Sequence, residues 1–315
     1  MLQWRCDISK LEANFSLIVI TFFSSLQYIF LAGVPSYIPN SSFVCITSFI
    51  GFILLFFIFF NELFRLDKKH IFQSMLLASE LFLFNYFLLL GSIGLDAVTI
   101  SCVISAYFVF IPIIEFIVFK SIPKQSKVFS ILLVFVGILF IMNWELKNLY
   151  NRNVLYLLIA DISMATYVIS TGYFSNRSNP AILSMGQLLF IGIVSFISWN
   201  VEVRAKGMKL SLPLEPSFWG SVVFISFFIR CLYTVIQTYA QRFVSALNTS
   251  LIFSTEIIIT MLTSSSISHF FGMRVSDSNI NLNSGIGAAL MLIGIFVSDP
   301  SILQLFTLKK RKQDV

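Results

Sequence analysis

Glu80, Glu115, Asp161, Arg230 and Glu256 each stand inside a long apolar stretch of this chain. An ionised side chain facing lipid at the bilayer centre costs at least about 2.5–3.5 kcal/mol. Such residues turn inward, toward partners or water, and mark places where ions, protons or polar solutes are handled. A guanidinium presents a planar fork that suits a carboxylate or a phosphate. Carboxylates suit an amine, a proton or the guanidinium itself. Other chemistries find little support. Three of the four cysteines (Cys45, Cys102, Cys231) fall in apolar stretches, and His70 and His269 are far apart in sequence. No disulfide, metal ligand set or His-based catalytic cluster follows from that spacing, and no cofactor is expected.

The elements that must position these groups follow from composition. Of 315 residues, 57% are hydrophobic and 11% charged, against about 25% charged in a soluble domain. That balance excludes soluble, disordered and disulfide-scaffold classes. A spanning helix needs about 20 apolar residues. Residues 13–61 carry no charge, and turn chemistry from Gly33-Val34-Pro35 to Pro39-Asn40-Ser41 splits them into two spans. Continuing along the chain predicts about ten spans, at 11–33, 43–61, 71–91, 97–119, 127–144, 153–173, 181–199, 218–240, 245–269 and 284–299. At a rise of about 1.5 Å per residue, Glu80, Arg230 and Glu256 lie about 14–18 Å into their spans, near the midplane. Asp161 lies nearer the end of its span, and Glu115 nears the mouth marked by Lys120. The charged spans are the third, fourth, sixth, eighth and ninth.

Lys and Arg cluster on one side: Arg5, Lys10, Arg65, Lys68, Lys69, Lys120, Lys124 and Lys127, with none in the first two loops opposite. The positive-inside rule then puts both termini in the cytoplasm. The net charge of +6 is a topology signal, and no nucleic-acid partner is expected. Residues 306–315 read as a basic cytoplasmic tail beside anionic headgroups.

The chain also repeats. Leu132–Ile138 resembles Ala289–Ile295, and the fourth span aligns with the ninth when Pro112 is set against Ile257. The expected architecture is an all-α integral membrane protein of ten transmembrane helices, arranged as two inverted five-helix repeats at 1–150 and 151–305. An odd number of spans per unit turns the second unit upside down, and such repeats place a polar site at the midplane between the halves.

Ser105-Ala106-Tyr107-Phe108-Val109-Phe110-Ile111-Pro112 resembles the fourth span of the drug/metabolite transporter superfamily, EamA type. Gln237–Ser245, followed by Ser254-Thr255-Glu256, resembles its junction of the eighth and ninth spans, and Ala165, Tyr167, Asn179-Pro180 and Gln187 fit the sixth and seventh. The chain departs from the family pattern where it lacks the Trp-Gly pair of the first span, has Ile257 after the acidic residue of the ninth, and lacks the Glu usual at the ends of the fourth and ninth. The resemblance implies that the first, third, fourth, sixth, eighth and ninth spans line a central cavity. The distribution of charged spans agrees.

The expected function is that of a permease moving a small organic metabolite or drug-like solute, by efflux or uptake, through alternating access with proton coupling. Its setting would be a cell membrane, bacterial by the AT-rich lean of the composition. Partners would be the solute and the lipid bilayer, and a homodimer is compatible. The expected site is Glu80, Arg230 and Glu256 at the midplane, with Asp161, Gln237 and Tyr107 in substrate-binding or coupling roles and Pro112 as a hinge. Alternatives stay open: Arg230 pairing permanently with Glu80 or Glu256, Gln237 and Gln241 bracing a helix end, Tyr107 as ordinary packing, Pro112 as a static kink. No enzyme is expected, because no nucleophile–base cluster accompanies the acids. The competing classes are a membrane scaffold or sensor and an integral membrane enzyme acting on lipid.

Overall fold

The computed structural model describes residues 9–32, 34, 38–93, 95, 97–142, 152–205, 215–271 and 282–298. These residues are helical or in short connections, as a bilayer requires: without water, each backbone polar group must be satisfied within its own segment. The helices are α1 (Lys10–Ala32), α2 (Asn40–Phe59, tightening into a 3-10 turn over Phe60–Arg65), α3 (Lys68–Ser92), α4 (Ala97–Ile104), α5 (Phe110–Phe119), α6 (Gln125–Ile141), α7 (Arg152–Ser175), α8 (Pro180–Ala205), α9 (Pro216–Phe224), α10 (Thr234–Ala240), α11 (Ala246–Phe253), α12 (Glu256–Phe271) and α13 (Leu282–Ser298). Among the described residues, seven helical stretches are long and apolar enough to cross a membrane, and α6 and α13 are shorter apolar helices.

Helix ends follow local rules. Asp67 caps α3 by accepting from the His70 N–H at 2.8 Å, and that bond holds its carboxyl below the usual range. Ser245 accepts from the Asn248 N–H to start α11. Prolines open α8 and α9, where a missing N–H is harmless. Lys120 ends α5 in the left-handed region at φ 56°.

Three expected spans are interrupted. Between α4 and α5, Ser105–Val109 narrows to a 3-10 turn. Pro112 lacks the N–H that would bond Phe108, four residues back. Between α9 and α10, Ile225–Tyr233 widens to a π-helix, a distortion frequent at functional sites. Between α11 and α12 the helix breaks at Ser254-Thr255. Helix α8 runs to Ala205, beyond the expected end at residue 199. Glu202, within this extension, is held by the Ser41 hydroxyl at 2.7 Å. The basic tail 306–315, Trp144, His269's side chain and the cations Arg5, Lys147, Lys206, Lys209 and Arg274 lie outside the described residues.

Burial is inverted relative to a soluble domain. Phe57, Phe72, Ile117, Ile197 and Val201 are exposed, whereas Thr21, Ser101, Asp161, Gln187, Gln237 and Thr249 are fully buried. Helix α1 runs through the middle, touching α4, α9, α10, α11, α12 and the π segment; α3 packs on α7 and α8, and α2 on α8. Helices α6 and α13 pack mainly on each other.

Candidate functional site

Arg230 owes its position to the widened turn. A π segment carries a side chain round a helix by a different angle from α-helical spacing, and Thr234 Oγ1 bonds the Ile229 carbonyl, five residues back, at 3.3 Å. On the facing helix Gly51 makes room: a Cβ there would stand 2.5 Å from the Arg230 Cβ. One turn earlier Thr47 donates its hydroxyl hydrogen to the Phe43 carbonyl at 2.8 Å. Its lone pairs then accept from Arg230 Nε at 3.4 Å. Arg230 is 4% exposed, and among the described residues it forms no ion pair with Glu80 or Glu256.

Glu256 opens α12 directly after the Ser254-Thr255 break, where the positive end of a helix favours a carboxylate. Its Oε1 accepts from the Ser24 hydroxyl at 2.5 Å, and Ser24 accepts in turn from Gln27 Nε2 at 3.1 Å. Arg230 and Glu256 line the same cavity, whose polar wall also includes Ser24, Gln27, Asn85, Tyr107, Tyr167 and Thr234. Leu81, Phe84, Ile104, Met164 and Phe253 supply the apolar wall. Its free volume is about 40 Å³, room for a few waters and far below the roughly 300 Å³ of a ligand pocket. The molecule is therefore closed around its centre, and admitting a solute requires the helices to part.

A second, open concavity of about 500 Å³ lies at the basic end, lined among others by Glu115, Phe119, Tyr173, Asn176, Arg177, Gln241 and Arg242. The structure thus brings together three of the expected site residues, Arg230, Glu256 and Tyr107. It places Glu80 behind the wall: the Ser170 hydroxyl donates to Glu80 Oε1 at 2.8 Å across the α3–α7 contact, and its carboxyl acts electrostatically on the Tyr167 phenol of the wall without lining the cavity itself. Asp161 is completely buried on α7, and neither carboxyl oxygen has a hydrogen-bond partner. Its electrostatic neighbour is the Tyr107 phenol, which Glu256 also faces. Gln237 is fully buried on α10, between the cavity and the concavity. Gln241 braces a helix end, donating from Nε2 to the Val168 carbonyl at 3.0 Å, and lines the open concavity as well.

Residues 151–298 match the model of the EamA-like transporter family. The chain carries an EamA-like transporter family domain. A curated relative described as an uncharacterized transporter of Archaeoglobus fulgidus is 22% identical over 214 residues, covering 65% of this chain and 62% of that protein. The match therefore spans less than two thirds of the relative's length. A solved crystal structure superimposes with a TM-score of 0.65 at 13% identity, covering 94% of this chain and 98% of its own. The EamA-like domain contains α7 to α13, and with them Asp161, Arg230, Gln237 and Glu256. Thr47, Gly51, Ser24, Gln27, Asn85 and Tyr107 come from the first half.

Sequence reasoning missed Thr47, Ser24, Gln27 and Asn85. Spacing carried a signal for two pairs: Ser24 and Gln27 at i, i+3, and Thr47 and Gly51 at i, i+4, each share one face of a charge-free helix. The π turn left no such trace.

Proposed function

We propose that this EamA-like membrane protein is a secondary transporter. It carries a small organic solute with an anionic group across a cell membrane, by alternating access between two inverted five-helix repeats. Both termini face the cytoplasm, so the basic end and its open concavity are the cytoplasmic side. The observation that carries the reading is Arg230, a midplane cation that forms no ion pair among the described residues and lines a closed cavity. Holding an unmatched guanidinium in the bilayer is expensive, and a solute carboxylate or phosphate would complete it through charge-assisted hydrogen bonds. Glu256 across the same cavity suits an amine or a proton. The interruptions near the centre, at 105–109 and 254–255, support the repeat, because the alignment of Pro112 with Ile257 carries the end of the first onto the start of the second.

Asp161 and Glu256, with Tyr107 between them, are the groups at which a coupling proton is exchanged. Pro112 holds the narrow turn beside Tyr107 and serves as the hinge. The test begins with a growth screen of expressing cells against toxic metabolite analogues, which identifies a solute. Flux of that solute is then measured in proteoliposomes under a proton gradient. Arg230→Gln should lower flux about 10–100-fold, the loss of a charged hydrogen bond of about 1.5–3 kcal/mol. Wild-type flux in Arg230→Gln would remove the reading.

A further inference from the structure

Helices α7 and α10 both reach from the central cavity to the open concavity. Helix α7 lines the cavity with Met164 and Tyr167, and the concavity with Ile169, Gly172, Tyr173 and Asn176. Thr234 at the start of α10 lines the cavity, and Gln241 just past its end lines the concavity. Between these two ends a lipid-embedded bundle would ordinarily be apolar. Here it is polar on both helices. Thr171 lies one turn beyond Tyr167, and Gln237 lies between Thr234 and Gln241 at i+3 and i−4, on the same stripe. Helix α8 packs against α10 and contributes Gln187.

All of these side chains are buried, and Thr171, Gln187 and Gln237 are completely so. Their hydrogen-bonding capacity is nevertheless largely unmet within the protein. Tyr167 Oη, Thr171 Oγ1, both amide ends of Gln187, both amide ends of Gln237, and Gln241 Oε1 have no hydrogen-bond partner. The Tyr167 phenol lies close enough to Thr171 and Gln187 to make weak polar contacts with both, short of a fully formed hydrogen bond. A buried polar atom left unmet costs about 1–3 kcal/mol. A run of them along one line between two cavities is more than apolar packing would offset. Unmet polar groups of this kind are satisfied by ordered water, each molecule bonding two to four groups.

We infer that the seam between α7, α8 and α10 is hydrated and forms the passage between the central cavity and the basic-end concavity, with Tyr167 and Gln237 as its constriction. Water and small hydrogen-bonding groups are its ligands. The two glutamines serve them as donor and acceptor alike, so a polar solute exchanges partners along the seam without crossing an apolar barrier. Hydration of the seam stands on the polar atoms alone. Its use by a solute rests on the transporter reading.

The experiment separates the two. In the full chain with its four native cysteines replaced by serine or alanine, Thr171→Cys, Gln237→Cys and Ala165→Cys are each placed in lipid nanodiscs. They are then exposed to a small, charged, membrane-impermeant methanethiosulfonate. Ala165 is as deeply buried on α7 but lies off the polar stripe. Cysteines at 171 and 237 should react at least about tenfold faster than the one at 165. Equal, slow reaction at all three positions overturns the hydrated seam, whether or not the protein transports anything. With a solute in hand, Gln237→Leu should lower flux about tenfold or more, while Gln237→Asn retains most of it. Wild-type flux in Gln237→Leu overturns the seam as the solute's route even if the labelling succeeds.

Discussion

The α6–α13 pair and the α7–α10 pair show two ways of placing helices side by side in a bilayer. Between α6 and α13 the contact is dry and close to backbone. A Cβ on Gly287 would stand 2.5 Å from the Gly137 carbonyl oxygen, one on Gly137 would stand 2.7 Å from the Gly287 oxygen, and Gly294 faces the Ser130 oxygen at 2.9 Å. Small residues let helices approach, and dispersion holds them there. Between α7 and α10 the neighbouring faces carry Tyr167, Thr171, Gln237 and Gln241, with polar atoms that the protein leaves unmatched. The first pair gains stability by excluding everything else. The second gives up stability to keep a surface that something polar can visit. On the proposed function, the outer pair is scaffold and the inner helices handle the solute.

The largest effect expected is at the dry contact. Gly287→Leu pushes a side chain into a neighbouring backbone that has no rotamer to yield, and overpacking of this kind costs about 1–3 kcal/mol or more. Thermal unfolding in detergent should show a pronounced drop in midpoint. An unchanged midpoint would mean that the glycine contact is incidental. Next comes Arg230→Gln, which should leave unfolding near wild type while flux falls about 10–100-fold. A collapse of folding instead would make Arg230 a structural residue and erase the contrast between the two regions.

Glu256→Gln keeps the shape of the carboxyl and its bond from Ser24, and removes the charge. It should lower gradient-driven flux about tenfold, as losing about 1.4 kcal/mol would, and should flatten the pH dependence of transport. Glu80→Gln is expected to change flux less than about threefold, because Ser170 can still bond it and it lies off the cavity wall. A larger loss would extend the working region to the α3–α7 contact.

The smallest effect is at the exposed cap. Asp67 is held below its ordinary value mainly by the His70 N–H, so its contribution to stability is present above that ordinary value of about 3.9. The contribution is lost as pH falls through the lower folded-state value. Asp67→Ala should slightly lower the unfolding midpoint at neutral pH and converge with wild type in strong acid, as followed by circular dichroism.

Much of the molecule is legible in residue order. Apolar runs divided by Pro35, Pro39, Pro123, Pro180, Pro213 and Pro216 locate most helices to within a few residues. The depth expected of Arg230 and Glu256 comes from counting along a fixed rise. Counting fails for azimuth. Glu80 has the right depth, yet it turns to Ser170, because a helix apolar on nearly all sides has no stripe to say which face is inward. Helix α8 illustrates a different failure: the expected span stops at residue 199, although the helix continues to Ala205 and Ser41 across the bundle holds Glu202 in the extension.

The sequence by itself determined that this chain lives in a bilayer, how many apolar runs it offers, and which few polar groups it must shelter. Those are properties of composition and of a repeat of fixed rise, and they need no partner. Only tertiary structure decided that Arg230 and Glu256 share a cavity that Glu80 does not line, that a π turn aims the guanidinium, and that Gln187 on α8 lies against Tyr167 on α7. Each of these depends on how a helix is rotated and distorted against its neighbours. That rotation is set by contacts such as Gly51 against Arg230, between residues far apart in the chain.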